Sequence, residues 1–220
     1  MNYAQLVETI KGYTENDFPD TAGSGGLTST EQINTFIINA EERIFNSVQL
    51  LELRKNVTGN CTATNKYLSV PSDWLATFSM ALIDPNTGAY SYLLNKDVSF
   101  IRAAFPNPNV TGPPTHYAFF DVDSFILGPT PDQNYSIELH YFYYPPSIVT
   151  SGTSWLGDNF ESVLLYGALL EAYTFMKGEA DVLAGYQKRY DDALVLLKQL
   201  GEGKNRQDMY RTPQVRYPVR

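Results

Sequence analysis

The amino-terminal hydrophobic positions recur at helical spacing. They predict a first amphipathic helix over residues 2–11, ended by Gly12, because apolar side chains three and four positions apart share one face of a helix. These positions are Tyr3, Leu6, Val7 and Ile10. The residues that follow are rich in glycine, serine, threonine and aspartate, a composition that predicts a loop.

A second and longer amphipathic helix is predicted to begin at Thr28. Thr28 and Glu31 have the spacing of a capping box, in which two side chains satisfy backbone N–H groups of the first turn. Apolar residues then follow the helical period as far as Leu51. We expect the opposite face to be solvated or to lie between subunits. It carries Asn34, Glu41, Glu42 and Asn46.

From about residue 54 the pattern changes to alternation, with threonine, valine, tyrosine and phenylalanine prominent and turn residues at short intervals. A short helix is expected within this region, over residues 97–105. We expect the strands to form an antiparallel sheet or a small sandwich. The strand candidates are RKNVTG, YLSV, LATFSMALID, AYSYLL, HYAFF, SFILG and YSIELHYFYY.

Two more helices are predicted after the β region. Asp158 and Glu161 have the spacing of a helix cap, and the helix that follows is expected to end at Gly178. The next helix is predicted over residues 179–200, and the short link makes the two an antiparallel hairpin. Small residues in the first of them would permit close helix approach: Gly167, Ala168 and Ala172.

The order of these elements predicts an α+β protein. Its helices are expected to form a discontinuous antiparallel bundle, into which an antiparallel β-sheet or sandwich lobe is inserted. Residues 1–53 and 152–203 are assigned to the helical bundle domain and residues 54–151 to the inserted β domain. Residues 204–220 are assigned to an extended C-terminal arm.

The composition of the C-terminal arm is unusual. It contains five of the 16 lysines and arginines and one acidic residue, so its formal charge is +4 in a chain of net charge −8. Gly201 and Gly203 are expected to end the preceding helix, and Pro213 and Pro218 to keep the arm extended. A disordered tail is the alternative, but such tails are usually poor in aromatic residues.

We therefore expect the arm to order on a partner surface, by strand addition or in a groove. Spaced tyrosines and arginines are typical of residues that anchor protein interfaces. The candidate docking residues are Arg206, Tyr210, Arg211, Arg216, Tyr217 and Arg220.

Charge and cysteine content narrow the function classes. Without the arm the chain has a formal charge of −12, which would repel nucleic acid phosphates but would let DNA slide along an acidic wall. Cys61 is the single cysteine, so no intrachain disulfide and no cysteine-based zinc site are expected, and assembly in a reducing cytoplasm is consistent with this. No signal-like start or long apolar run predicts secretion or membrane insertion.

Candidate chemistry is sparse. His116 and His140 are both predicted on strands, without metal-ligand spacing, and no nucleophile elbow or phosphate loop is present. DVDS at residues 121–124 does not complete a calcium loop. We expect no catalytic, cofactor or metal site. A cell-wall hydrolase with unrecognised carboxylates is one alternative.

A binding module is the other alternative. The aromatic run at the end of the last strand would then hold carbohydrate or a fibre protein, although alternating aromatic residues on a strand more often belong to the core of a sheet. Its candidate residues are Tyr141, Tyr143 and Tyr144.

Four segments, in this order, resemble the head-to-tail adaptor proteins of tailed bacteriophages, especially short-tailed ones. The resemblance covers nearly the whole chain and lies in the combination of segments rather than in a catalytic motif. The segments are EERIFNSVQLLELRKNVTG, YLSVPSDWL, the stretch from LLNKDVSF to YFYYPP, and SWLGDNFESVLLYGALLEAYTFMKGEADVLAGYQKRYDDAL.

The resemblance implies a virion structural protein of the neck and tail, assembled in the host bacterial cytoplasm. Its subunits would form a homo-oligomeric ring of twelve that joins the portal protein to the tail nozzle and lines the DNA ejection channel. The helices would form the body of the ring, the β lobe would face the tail or its fibre proteins, and the arm would reach the portal. DNA would pass without sequence-specific binding.

Overall fold

The computed structural model describes residues 1–21 and 25–205. Within this part the protein has the α+β fold expected, with seven α-helices and two four-stranded sheets. Contacts along the chain divide it into two compact units: a helical unit of Met1–Leu53 with the described residues from Pro145 onward, and a β unit of Arg54–Tyr144. No helix among the described residues is long and apolar enough to cross a membrane.

The helical unit begins with α1 (Tyr3–Thr14) and α2 (Ser29–Ser47). The expected stop at Gly12 is wrong, because α1 continues to Thr14 and its last turn is closed by Glu15 in the left-handed conformation. The capping box at Thr28 and Glu31 is confirmed. After α2 the chain forms one 3-10 turn at Leu51–Leu53, so the helix ends before the predicted Leu51.

The polar face predicted for α2 is wrong at one position. Glu41 is only 3% exposed, because its carboxylate accepts a 3.0 Å hydrogen bond from the backbone N–H of Ile148 inside the helical unit. Glu42 and Asn46 are exposed as expected. Arg43 pairs with Glu171.

The β unit contains all seven predicted strand segments, and AYSYLL splits into two strands. The short helix predicted in this region is α3 (Val98–Ala104). The strands are β1 (Arg54–Cys61), β2 (Tyr67–Ser69), β3 (Ala76–Ile83), β4 (Tyr90–Tyr92), β5 (Leu94–Asn95), β6 (His116–Asp121), β7 (Ser124–Gly128) and β8 (Tyr135–Phe142).

The strands form two sheets, one in the order β1-β8-β3-β4 and the other in the order β2-β7-β6-β5. The fully antiparallel arrangement predicted from sequence is wrong at β5 and β6, which pair in parallel. The physical reason is the connection: α3 lies between them in sequence, and parallel neighbours need a crossover of this kind. The remaining strand pairs are antiparallel.

The two sheets enclose a common core. In β8, Ile137, Leu139 and Tyr141 are buried and alternate with half-buried Glu138, His140 and Phe142, as period-two patterning requires. Residues from both sheets share this core, among them Met80, Leu82, Tyr117, Phe125 and Leu127.

The chain returns to the helical unit at Pro145 and forms α4 (Ile148–Ser151) and α5 (Trp155–Asn159), followed by α6 (Glu161–Phe175) and α7 (Ala180–Asn205). The contacts therefore change unit at residues 144/145, whereas the sequence-based boundary was placed at 151/152. The cap predicted at Asp158 is also wrong. Ser154 caps α5 by accepting from the N–H of Gly157, and α6 follows Phe160 without a side-chain cap.

The α6–α7 pair is antiparallel, since Tyr173 contacts Tyr186 while Tyr166 contacts Arg189. The close approach predicted for the small residues of α6 is confirmed at Gly167. A Cβ placed there would lie 3.1 Å from Ala40 of α2 and 3.3 Å from the Tyr190 ring of α7. The three helices therefore meet at this glycine.

The predicted end of the last helix near Gly201 is wrong, because α7 continues to Asn205. Gly201 is buried, and a Cβ on it would lie 2.7 Å from the carbonyl oxygen of Gln49. The glycine thus permits contact with the chain after α2 rather than ending the helix. The first two residues of the predicted arm, 204 and 205, are helical.

Candidate interaction surfaces

The C-terminal arm was the sequence-predicted site. Its six candidate docking residues, Arg206, Tyr210, Arg211, Arg216, Tyr217 and Arg220, all lie outside the described residues. The structure does show where the chain approaches the arm. At Gly201 the last turns of α7 pack on Gln49 and Leu50, next to the 3-10 turn at Leu51–Leu53.

A groove of about 430 Å³ lies within the helical unit and includes Leu50, on which this end of α7 packs. We call it the α7-end groove. Leu50, Leu53 and Leu156 are buried and form its apolar floor, while Trp155 is half-buried and its ring stacks on Phe160 at 5.6 Å. Its volume falls within the roughly 300–1,000 Å³ typical of ligand pockets.

The charged residues that line the α7-end groove are both acidic. Glu52 comes from the 3-10 turn, and Asp158 is exposed in the first turn of α5. Pro145 and Pro146 add rigid apolar surface. The groove therefore combines aromatic and proline contacts with negative charge, and it is suited to a segment with apolar anchors and positive charge.

A second surface of the helical unit is built from four tyrosines and an arginine, which we call the tyrosine–arginine patch. The Tyr186 ring lies 4.9 Å from that of Tyr173, 6.1 Å from that of Tyr166 and 6.4 Å from that of Tyr13. Arg189 donates a 3.0 Å hydrogen bond to the Tyr166 hydroxyl. Tyrosine and arginine, like tryptophan, are enriched at the energetic centre of protein interfaces.

The sequence pattern did not reveal this patch. Tyr186 and Tyr190 lie one helical turn apart on α7, but only Tyr190 is buried. Tyr186 is half-buried, and its partial burial, together with its hydrogen bond to Tyr173, raises its pKa to about 12. Only the folded arrangement of α1, α6 and α7 brings the five residues together.

Of the three candidate tyrosines in the β unit, only Tyr144 is exposed, with 40% of its surface accessible. Tyr141 is 1% exposed, and its hydroxyl donates a 2.7 Å hydrogen bond to Asp73, so it is a core residue rather than a ligand contact. Tyr143 packs against the same core. The strongly exposed tyrosines are instead Tyr90 and Tyr92 of β4, with 56% and 68% of their surface accessible.

Tyr90 and Tyr92 share one face of the sheet with a polar row. Tyr92 is in register with Ala81 of β3, which is in register with Glu138 of β8. The Glu138 carboxylate accepts a 3.1 Å hydrogen bond from Asn56 and lies 3.6 Å from His140. The outward face of this sheet is thus polar with two tyrosines at its edge.

The residues considered for metal binding or catalysis do not converge within the described ranges, where no group of three or more histidine, cysteine, aspartate or glutamate side chains could hold a metal ion. His116 lies near the rings of Phe100 and Phe105, and His140 is placed beside Glu138 in the other sheet. Burial raises the pKa of the Cys61 thiol. Asp121 of the DVDS segment accepts hydrogen bonds from Asp123 and Ser124 within its own turn.

The family model described as SU10 adaptor protein matches residues 1–217, which is nearly the whole chain and includes both units. No curated protein matches the chain.

Proposed function

Because this chain belongs to the SU10 phage adaptor family, a family of head-to-tail adaptor proteins, we propose that it forms an oligomeric ring of twelve subunits between the portal and the tail nozzle. Membership of the family makes the protein a structural adaptor of the virion neck that contacts other virion components. The family match over residues 1–217 is the observation that carries the proposal.

We propose further that the ring lines the channel through which DNA is ejected. The charge of the chain supports this part of the proposal. The residues before the arm carry a formal charge of −12, and a surface of that sign repels phosphates, so that DNA passes without adhering. The role is structural rather than catalytic.

The C-terminal arm is the proposed contact with the portal. It has two tyrosines, Tyr210 and Tyr217, among arginines, and this composition is typical of interface anchors. Its positive charge also distinguishes it from the acidic remainder of the chain, so the arm and the body would prefer surfaces of different charge.

The β unit is the proposed contact with the tail nozzle or a fibre protein. The exposed Tyr90 and Tyr92 favour this assignment, because large aromatic side chains on an outward sheet face are available to a partner. The same two residues support the second candidate function, a carbohydrate- or fibre-binding module. Tyr141 contributes to neither, because it is buried.

The portal contact can be tested with purified portal rings. Arg216→Ala combined with Tyr217→Ala should weaken binding about tenfold or more, since truncation of interface anchors commonly costs this much. Lys188→Ala combined with Tyr90→Ala is the matched control: it removes an exposed cation and an exposed tyrosine outside the arm and should leave portal affinity unchanged. Equal portal affinity of the two double variants would overturn the assignment of the arm.

A further inference from the structure

We infer that, in the unassembled subunit, the α7-end groove holds residues 206–220 of the same chain and keeps the arm from its partner. The inference rests on the proposed function, in which the arm is the docking element. The groove would bind the arm before docking. The portal would then have to compete with the groove for the arm.

The position of α7 supports this occupant. Gly201 packs on Gln49 and Leu50, and Leu50 forms part of the groove floor. The helix ends at Asn205, about one turn farther on, since an α-helix rises about 1.5 Å per residue. The arm therefore follows a helix end that packs on a residue of the groove floor. Its 15 residues, 206–220, span up to roughly 50 Å when extended, far more than the groove requires.

The chemistry of the α7-end groove matches that of the arm. Residues 206–220 carry four arginines and one aspartate, a formal charge of +3, while the charged lining residues are Glu52 and Asp158. The arm also contains Pro213 and Pro218, each beside residues that favour extended backbone. Extended proline segments commonly bind in grooves lined by aromatic rings, and here the half-buried Trp155 supplies such a ring.

Tethering favours the arm of the same chain over other occupants. A short linker holds a segment near its site at an effective concentration of the order of millimolar. A free peptide or a second copy at micromolar concentration would have to bind far more tightly to displace it. Even weak affinity for the groove is therefore sufficient for occupancy in the isolated subunit.

Occupancy of the groove has a consequence for assembly. An arm bound to its own subunit cannot dock elsewhere at the same time, so the apparent affinity for the partner falls in proportion to the fraction of free arm. The docking residues therefore remain bound to the groove until a partner binds the arm with higher affinity.

The test uses a chain that ends at Asn205 and a synthetic peptide of residues 206–220. Binding is followed by calorimetry and by the fluorescence of Trp155, which lines the groove. The truncated chain should bind the peptide, whereas the full-length chain, whose groove is filled by its own arm, should bind it at least about tenfold more weakly. Equal binding by the two chains would overturn the inference.

Two charge-reversal variants show whether the peptide binds in the groove. Asp158→Lys in the truncated chain should weaken peptide binding about fivefold or more, in line with the loss of a favourable charge pair at the rim. The matched control is Asp181→Lys, which also changes an exposed aspartate in the first turn of a helix. It lies 20 residues from Gly201 along α7, or roughly 30 Å. Equal loss in both variants would contradict binding in the groove.

Sedimentation of the full-length chain separates the two sources of the arm. A monomer that resists the peptide supports occupancy by its own arm. A dimer that disappears on truncation would assign the groove to the arm of a second copy and overturn the inference as stated. Binding of the full-length chain to portal rings is measured separately. If portal rings bind the chain but the peptide does not bind the groove, only this inference is refuted. If the peptide binds the groove but portal rings do not bind the chain, only the proposed function is refuted.

Discussion

The carboxylate of Glu41 in α2 accepts a buried 3.0 Å hydrogen bond from the backbone N–H of Ile148. Ile148 is the first residue of α4 and is itself fully buried. The bond thus fixes the segment by which the chain returns to the helical unit after β8. A buried carboxylate is tolerated here because it satisfies a buried N–H that would otherwise lack a partner.

Removal of the Glu41 side chain should destabilise the helical unit. Glu41→Ala is expected to lower the free energy of unfolding by about 1–3 kcal/mol, because the N–H of Ile148 loses its acceptor. Glu41→Gln keeps an amide oxygen in the same place and should cost less. Urea unfolding followed by circular dichroism measures both values, and an Ala variant as stable as the Gln variant would refute this role of the bond.

The stabilities of the Glu41→Gln variant and of the parent chain should depend differently on pH. Burial, the largest effect, raises the pKa of Glu41 above its ordinary 4.5. The folded state therefore binds this proton more tightly than the unfolded state, so the stabilising effect of protonation is complete below pH 4.5 and is lost as the pH rises through the folded-state pKa. The stability of Glu41→Gln relative to the parent chain should rise over that interval. A constant difference would contradict the raised pKa.

Two glycines of α7 should respond oppositely to alanine. Gly201→Ala places a Cβ 2.7 Å from the Gln49 carbonyl oxygen, so backbone must shift, at an expected cost of about 1–3 kcal/mol. Gly185→Ala meets nothing within 4 Å and should stabilise the helix by about 0.8–1 kcal/mol through its higher propensity. Thermal unfolding of the two variants measures the contrast. A stabilised Gly201→Ala chain would show that α7 does not pack on residue 49.

Lys177, after α6, occupies a backbone position that favours glycine. Its φ is +55°, and the N–H groups of Lys177 and Gly178 bond to the carbonyls of Thr174 and Tyr173, the pattern of a Schellman motif. Lys177→Gly should therefore stabilise the protein by about 0.5–1 kcal/mol. Lys188→Gly, within α7, should destabilise it by about 1 kcal/mol. Differential scanning calorimetry provides both comparisons, and equal changes would contradict the motif.

Asp73 should contribute to the acid sensitivity of the β unit. Its carboxylate lies 2.6 Å from Lys55 Nζ and accepts from the Tyr141 hydroxyl, and the hydrogen bond from Lys55 is the main reason that its pKa falls below the ordinary 3.8. The folded state thus releases this proton more readily, so the contribution is present above pH 3.8 and is lost as the pH falls through the folded-state pKa.

Asp73→Asn should therefore lower the melting temperature at neutral pH and flatten its decline at acid pH. Asp181→Asn, at an exposed site outside this network, should leave the decline as it is in the parent chain. Melting curves recorded from neutral pH to below pH 3.8 compare the variants. An unaltered acid slope in Asp73→Asn would contradict the proposed ion pair.

Elements governed by local patterning could be predicted from the sequence. The alternating segment YSIELHYFYY was correctly predicted as a strand, which is β8, and the spacing of Thr28 and Glu31 correctly placed the start of α2. These signals depend on side chains a few positions apart. The order of the strands in the two sheets, by contrast, depends on contacts between distant segments and could not be predicted from the local pattern.

The errors share a physical cause. Gly201 was expected to end a helix, but its role is set by the carbonyl of Gln49. Glu41 was expected on a solvated or intersubunit face, but its role is set by Ile148. In both cases a tertiary contact outweighs local propensity. The same holds for the tyrosine–arginine patch and the α7-end groove, because each is assembled from several elements.

The proposed function is that of a ring-forming adaptor that docks on the portal through its arm. Native mass spectrometry of the purified chain with portal rings tests it most directly, using the full-length chain and one that ends at Asn205. We expect a complex with twelve full-length subunits on each portal ring and none with the truncated chain. A full-length chain that remains monomeric beside the portal would contradict it.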